Sequence, residues 1–130
     1  MVEGATMARI LVVEDDRSFA EALASAIRLG GHDVSISTTA NEAVELGSAQ
    51  FPDIVIADWM LGCDMHGGEV CRQIRASCPQ VKTIVMTGYL DGESDICRWP
   101  EYAGALLKKP FHKEAIFDAI DRALICTSMS

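Results

Sequence analysis

The spacing of apolar residues changes several times along the chain, and each change predicts an element. ARILVV (8–13) is a short unbroken apolar run that ends in Glu14, Asp15 and Asp16. DIVIADWM (53–60) contains a second such run, IVIA, cut off by Asp58. VKTIVMT (81–87), with the apolar triplet IVM before Thr87, and AGALL (103–107) read as the fourth and fifth strands; the latter leads into Lys108, Lys109, Pro110 and Phe111. Runs of this length without alternation read as strands buried on both faces, the habit of parallel sheets. HDVSIST (32–38) alternates instead, with Val34 and Ile36 on one side, which predicts a strand nearer a sheet edge.

Between these runs the period becomes helical. Phe19, Leu23, Ala26 and Ile27 recur at three and four, with Asp16 or Ser18 able to cap the helix and Gly30-Gly31 to close it. Thr39 or Asn41 opens a short helix carrying Ala43, Val44 and Leu46. Glu69 to Cys78 predicts a third, with Val70, Cys71 and Ile74 inward and Pro79 as the stop. A brief helix is expected over 91–99, capped by Asp91 or Ser94 and discouraged from continuing by Pro100. Residues 112–126 form an amphipathic stripe through Ala115, Ile116, Ala119, Ile120, Ala123 and Leu124. Strand and helix therefore alternate five times. Right-handed crossovers turn that order into a doubly wound α/β fold, a five-stranded parallel sheet with helices on both faces. For five strands a common order is 2-1-3-4-5, whose switch point lies between strands 1 and 3.

Composition narrows the function. The 130 residues make about one domain, spanning 8–126 with short tails at 1–7 and 127–130. At that size a single core buries roughly two-thirds of the unfolded surface, so no staples are needed. A net charge of −8 argues against non-specific nucleic-acid binding and against docking on anionic membranes. No apolar run approaches the roughly 18 residues that span a bilayer, and the N-terminus has no signal-peptide pattern. The five cysteines are odd in number and hold no CxxC pair, which fits reduced thiols in a cytoplasmic protein. Cys63 with His66 offers two ligands, too few for a structural zinc site.

In the expected sheet, the C-terminal ends of strands 1, 3, 4 and 5 bring together Glu14-Asp15, Asp58, Thr87 and Lys109. Clustered carboxylates repel unless something neutralises them. An oxygen-only set suits a hard divalent cation such as Mg²⁺. With a lysine for charge and a threonine hydroxyl as donor, the set matches a phosphoryl group. There is no GxxxxGK[ST] loop for a nucleotide, so Asp58 itself is the expected nucleophile, forming an acyl phosphate.

These segments carry a resemblance. ILVVEDD (10–16), IVIADWML (54–61), IVMTG (84–88) and KKPF (108–111), in this order, resemble the receiver domain of two-component response regulators, over essentially residues 8–126. The resemblance implies a flavodoxin-like (βα)5 fold of the chemotaxis-regulator kind. It implies that Asp58 is the phosphoacceptor. Asp15 would be a direct Mg²⁺ ligand, with Glu14 acting largely through water, Asp58 contributing, and Met60 giving its backbone carbonyl. Thr87 and Lys109 would meet phosphoryl oxygens, and the bond before Pro110 is cis in much of the family. The implied function is a cytoplasmic phosphorelay component, not an enzyme beyond its own phosphorylation and slow dephosphorylation. Its donor is a sensor histidine kinase or phosphotransfer protein, contacting the first helix near Ser18, Phe19 and Ala22 and the Pro110-Phe111 loop. Its target is a downstream protein or an output domain not visible here; a homodimer stays an option.

Three positions depart from the family pattern. Gly62 stands where proline is usual, and the loop after Asp58 is one residue longer, with His66 expected at the surface rather than as a ligand. Leu106 replaces the usual aromatic partner of the Thr87 switch; Trp99 and Tyr102 are expected simply to pack. Met60 and Tyr89 are bulky where water would approach an acyl phosphate. A rival reading is a haloacid-dehalogenase-type phosphohydrolase, which needs a second Asp where Met60 stands. A flavodoxin-like cofactor binder would need a Ser/Thr/Gly phosphate loop where this chain has three acids.

Overall fold

The structure, a computed structural model, describes residues 7–62, 65–88 and 95–128, with backbone alone for 95, 96 and 126–128. Its elements run β1 (Arg9–Val13), α1 (Arg17–Leu29), β2 (Asp33–Ser37), α2 (Ala40–Gln50), β3 (Ile54–Asp58), α3 (Gly67–Ser77), β4 (Lys82–Thr87), a 3₁₀ helix (Asp95–Glu101), β5 (Ala105–Lys108) and α4 (Lys113–Ser128). The five strands are all parallel in the order β2-β1-β3-β4-β5, as expected. The alternating strand, β2, lies at an edge, where one side of a sheet is wetter.

Strand residues alternate between two apolar layers. Ile10, Val12, Ile54, Ile56, Ile84 and Met86 face the layer filled by Leu23 and Ile27 of α1 and by Ile116 and Ile120 of α4. Leu11, Val13, Val55, Ala57 and Val85 face the other, filled by Ala43 of α2 and by Val70, Cys71 and Ile74 of α3. Burying one such Ile, Val or Leu is worth about 1.5–3 kcal/mol, so β3, buried along its whole length, anchors both layers.

Caps explain where helices begin. The Asp16 carboxylate accepts from Phe19 N–H at 3.1 Å and the Thr39 hydroxyl from Glu42 N–H at 3.2 Å, choosing Asp16 over Ser18 and Thr39 over Asn41. Two expectations need correction. The third helix begins at Gly67, two residues before the predicted start, because the His66 ring nitrogen supplies a cap just ahead of it. The fourth crossover carries a 3₁₀ helix that includes Pro100, so the fourth (βα) unit of an ideal alternation has no α-helix there among the described residues. The seven-residue segment is short and tightly wound, and proline does not end it. The predicted caps Asp91 and Ser94 lie outside the described residues, as do Cys63 and Tyr89. No helix among the described residues is long and apolar enough to cross a membrane.

Candidate functional site

Parallel strands put all their C-terminal ends along one edge, and the strand order makes β1 and β3 neighbours there. Glu14 follows β1, Asp58 closes β3, Thr87 closes β4 and Lys109 follows β5. Register Val13↔Ala57, Asp58↔Met86 and Thr87↔Lys108 keeps them level. Glu14, Asp58 and Thr87 are buried, while Asp15 is exposed at the rim.

Lys109 links the cluster. Its ammonium donates to Glu14 Oε2 at 2.8 Å and to Asp58 Oδ2 at 3.1 Å, and it lies 4.3 Å from the centre of the Phe19 ring. Phe19 in turn meets Phe111 edge to face at 6.2 Å. Backbone groups hold the remaining oxygens: Asp16 N–H donates to Glu14 Oε1 and Met60 N–H to Asp58 Oδ1, each at 3.2 Å. Lys109 N–H donates to the Thr87 carbonyl at 2.7 Å, and the Lys109–Pro110 bond is cis.

Burial pushes the Glu14 carboxyl up to about 7; the Lys109 hydrogen bond opposes this, and the neighbouring Asp58 carboxyl and its charge add to it. Burial works against the Lys109 ammonium, but its bond to Glu14 and the charge of Asp58 outweigh that and hold its pKa above the usual lysine value. One carboxylate oxygen each from Glu14, Asp15 and Asp58 lies within 4.8 Å of the others, an all-oxygen set suited to a hard divalent cation.

The structure thus brings Glu14, Asp15, Asp58, Thr87 and Lys109 to one edge. Met60 is two residues past Asp58, its side chain exposed and its N–H engaged with Asp58. Leu106 does not join them. It pairs with Val85 inside β5 and packs, half-buried, on the layer of α2 and α3. Gly62 has φ +72°, a left-handed value that proline cannot adopt, which accounts for its departure from the family pattern.

Sequence reasoning missed an aromatic stack beside the acceptor. Trp59 is buried and lies flat on His66 (4.1 Å, 13°); Tyr102 meets both edge-on, at 5.6 Å and 5.0 Å. The surface histidine of expectation is therefore a half-buried capping residue, while Trp99 and Tyr102 pack on the core as expected. An aromatic residue directly after the strand-end acid was the available signal.

Comparison with known proteins bears on the family and the fold. A family model described as the response regulator receiver domain matches residues 10–121. Response regulator MprA of Mycolicibacterium vanbaalenii is 32% identical over 117 residues, covering 90% of this chain and 50% of the relative. Response regulator protein FleR of Pseudomonas aeruginosa is 32% identical over 116 residues, covering 88% of this chain and 24% of the relative. The chain therefore spans half the length, or less, of these relatives. A CheY-like receiver domain protein from Methanospirillum hungatei superposes with a TM-score of 0.85 at 26% identity, covering 95% and 98% of the two chains.

Proposed function

From the premise that this chain belongs to the response regulator receiver domain family of two-component signalling, we propose that Asp58 is its phosphoacceptor. The observation that carries the reading is the Lys109 ammonium bridging Glu14 and Asp58, with Asp15 alongside. Residues 8–126 act as the receiver domain. Asp58 attacks the phosphorus of a phosphohistidine on a sensor kinase or phosphotransfer protein. A P–O bond to the carboxylate forms, the P–N bond breaks, and the departing imidazole nitrogen takes up a proton. Lys109 and the Thr87 hydroxyl meet the phosphoryl oxygens. Glu14, Asp15, Asp58 and the Met60 carbonyl would hold Mg²⁺, whose charge offsets that of the phosphoryl group.

The phosphoaspartate then shifts a two-state equilibrium, which needs only a few kcal/mol of differential stabilisation. Phe19 and Phe111, already in contact beside Lys109, belong to the surface the donor meets. The output is a partner protein or a further domain, in a cytoplasmic setting. A phosphohydrolase of the haloacid dehalogenase type is not supported, since Met60 and not an aspartate follows two residues after Asp58. Incubation with acetyl phosphate and Mg²⁺, read by intact mass, tests the proposal. One phosphoryl group is expected on the parent and none on Asp58→Asn; a parent of unchanged mass with every donor tried overturns it.

A further inference from the structure

The Trp59–His66–Tyr102 stack lies outside the charged cluster, yet it adjoins the backbone that sets the acceptor. Trp59 directly follows Asp58. Its N–H donates to the Met86 carbonyl at 2.8 Å, and its carbonyl accepts from Gly67 N–H at 3.0 Å. The next residue, Met60, donates its N–H to Asp58 Oδ1. The backbone of residues 59 and 60 therefore sets the orientation of one acceptor oxygen.

His66 connects that backbone to α3 in two ways. Its Nδ1 accepts from Glu69 N–H at 3.1 Å, capping the helix, a role that serine, threonine, asparagine or aspartate ordinarily fills. Its ring covers the Trp59 face, and Tyr102 flanks the stacked pair, near-perpendicular to both rings. There is no slack in this arrangement. A Cβ on Gly67 would collide with the Asp58 carbonyl, and one on Gly68 would lie 2.5 Å from the Trp59 ring and 2.9 Å from Tyr102. The cap alone needs no imidazole. The aromatic face is what asparagine at this position would lack.

We propose that His66 is a positioning residue for phosphoryl transfer to Asp58, acting through Trp59: its ring clamps the indole and so fixes the Trp59–Met60 backbone that orients the acceptor oxygen. This rests on the reading of Asp58 as phosphoacceptor. The side chain has two separable parts, a cap that supports the helix and a face that supports the site. Misplacement of a reacting group by a fraction of an ångström lowers rate without abolishing binding.

Two variants separate the parts. His66→Asn keeps a cap and loses the face, so its thermal midpoint should fall only by the few degrees that the lost ring contacts are worth, on the order of 5 °C. Its maximal rate of phosphoryl uptake from acetyl phosphate with Mg²⁺ should fall about tenfold, with little change in the half-saturating donor concentration. His66→Phe keeps the face and loses the cap. It should melt lower but take up phosphate, per folded molecule, within about twofold of the parent. In a Trp59→Leu background, His66→Asn should cause no further loss of rate, since the clamp then has nothing to hold. His66→Asn at the parent's rate, or His66→Phe slowed as much as His66→Asn, overturns the inference while leaving Asp58 as acceptor. A parent that takes up no phosphoryl group overturns both readings together.

Discussion

Cys71 and Cys97 carry the same group in opposite surroundings. Cys71 is fully buried in the layer beneath α3, and desolvation pushes its thiol up to about 12. Cys97 is exposed on the 3₁₀ helix. Since the thiolate is the reactive form, only about one Cys71 in ten thousand is ionised at pH 8. Iodoacetamide at pH 8, followed by peptide mapping, should modify Cys97 rapidly and spare Cys71 until denaturant is added. The sign of the linked stability effect follows. The folded value lies above the ordinary 9.0, so ionisation opposes folding. The contribution is complete below pH 9 and is lost as pH rises toward 12. Urea midpoints at pH 8 and pH 10.5 should therefore converge more closely in Cys71→Ala than in the parent.

Between elements, one close approach lies where α2 meets α3. A Cβ on Gly47 would come within 2.6–2.9 Å of three side-chain carbons of Ile74, itself fully buried. In an isolated helix, alanine for glycine stabilises by about 1 kcal/mol. Here the bulk is forced against a β-branched side chain with no open space, and overpacking of that kind costs typically about 1–3 kcal/mol. The second term wins, so Gly47→Ala should lower the urea midpoint; a raised midpoint would show that α2 and α3 can separate freely. The glycine is thus a packing residue, which its place in an otherwise good helical window concealed.

Over the whole molecule, a chain of net charge −8 gathers three carboxylates at one edge and sets a single ammonium against two of them. A cation that binds the folded cluster and not the unfolded chain must raise stability. At a free concentration about a hundredfold above its dissociation constant the gain is about 2.7 kcal/mol, roughly 10 °C in melting midpoint for a domain of this size. Melting curves with and without MgCl₂ should show a shift of this order, cut by more than half in Asp15→Asn. An equal shift in both proteins would remove Asp15 from the metal set.

The sequence by itself determined what depends on neighbouring residues and their spacing. Unbroken apolar runs marked the parallel strands, alternation placed β2 at the edge, and acids or a lysine at run ends located Glu14, Asp15, Asp58 and Lys109. Short-range chemistry was legible because a strand's face and a cap's reach are set within a few residues. Tertiary structure alone decided the rest. That Lys109 reaches both Glu14 and Asp58 depends on strands far apart in the chain being laid side by side. That Leu106 stays within a packed layer depends on the register of β5 against β4. The crossover around Pro100 took a 3₁₀ form that its local pattern did not specify. His66 stacks on Trp59 only because α3 starts close against the end of β3, where Gly67 and Gly68 leave no room for a side chain. Such contacts join residues from separate elements, and no periodicity along the chain encodes the distance between them.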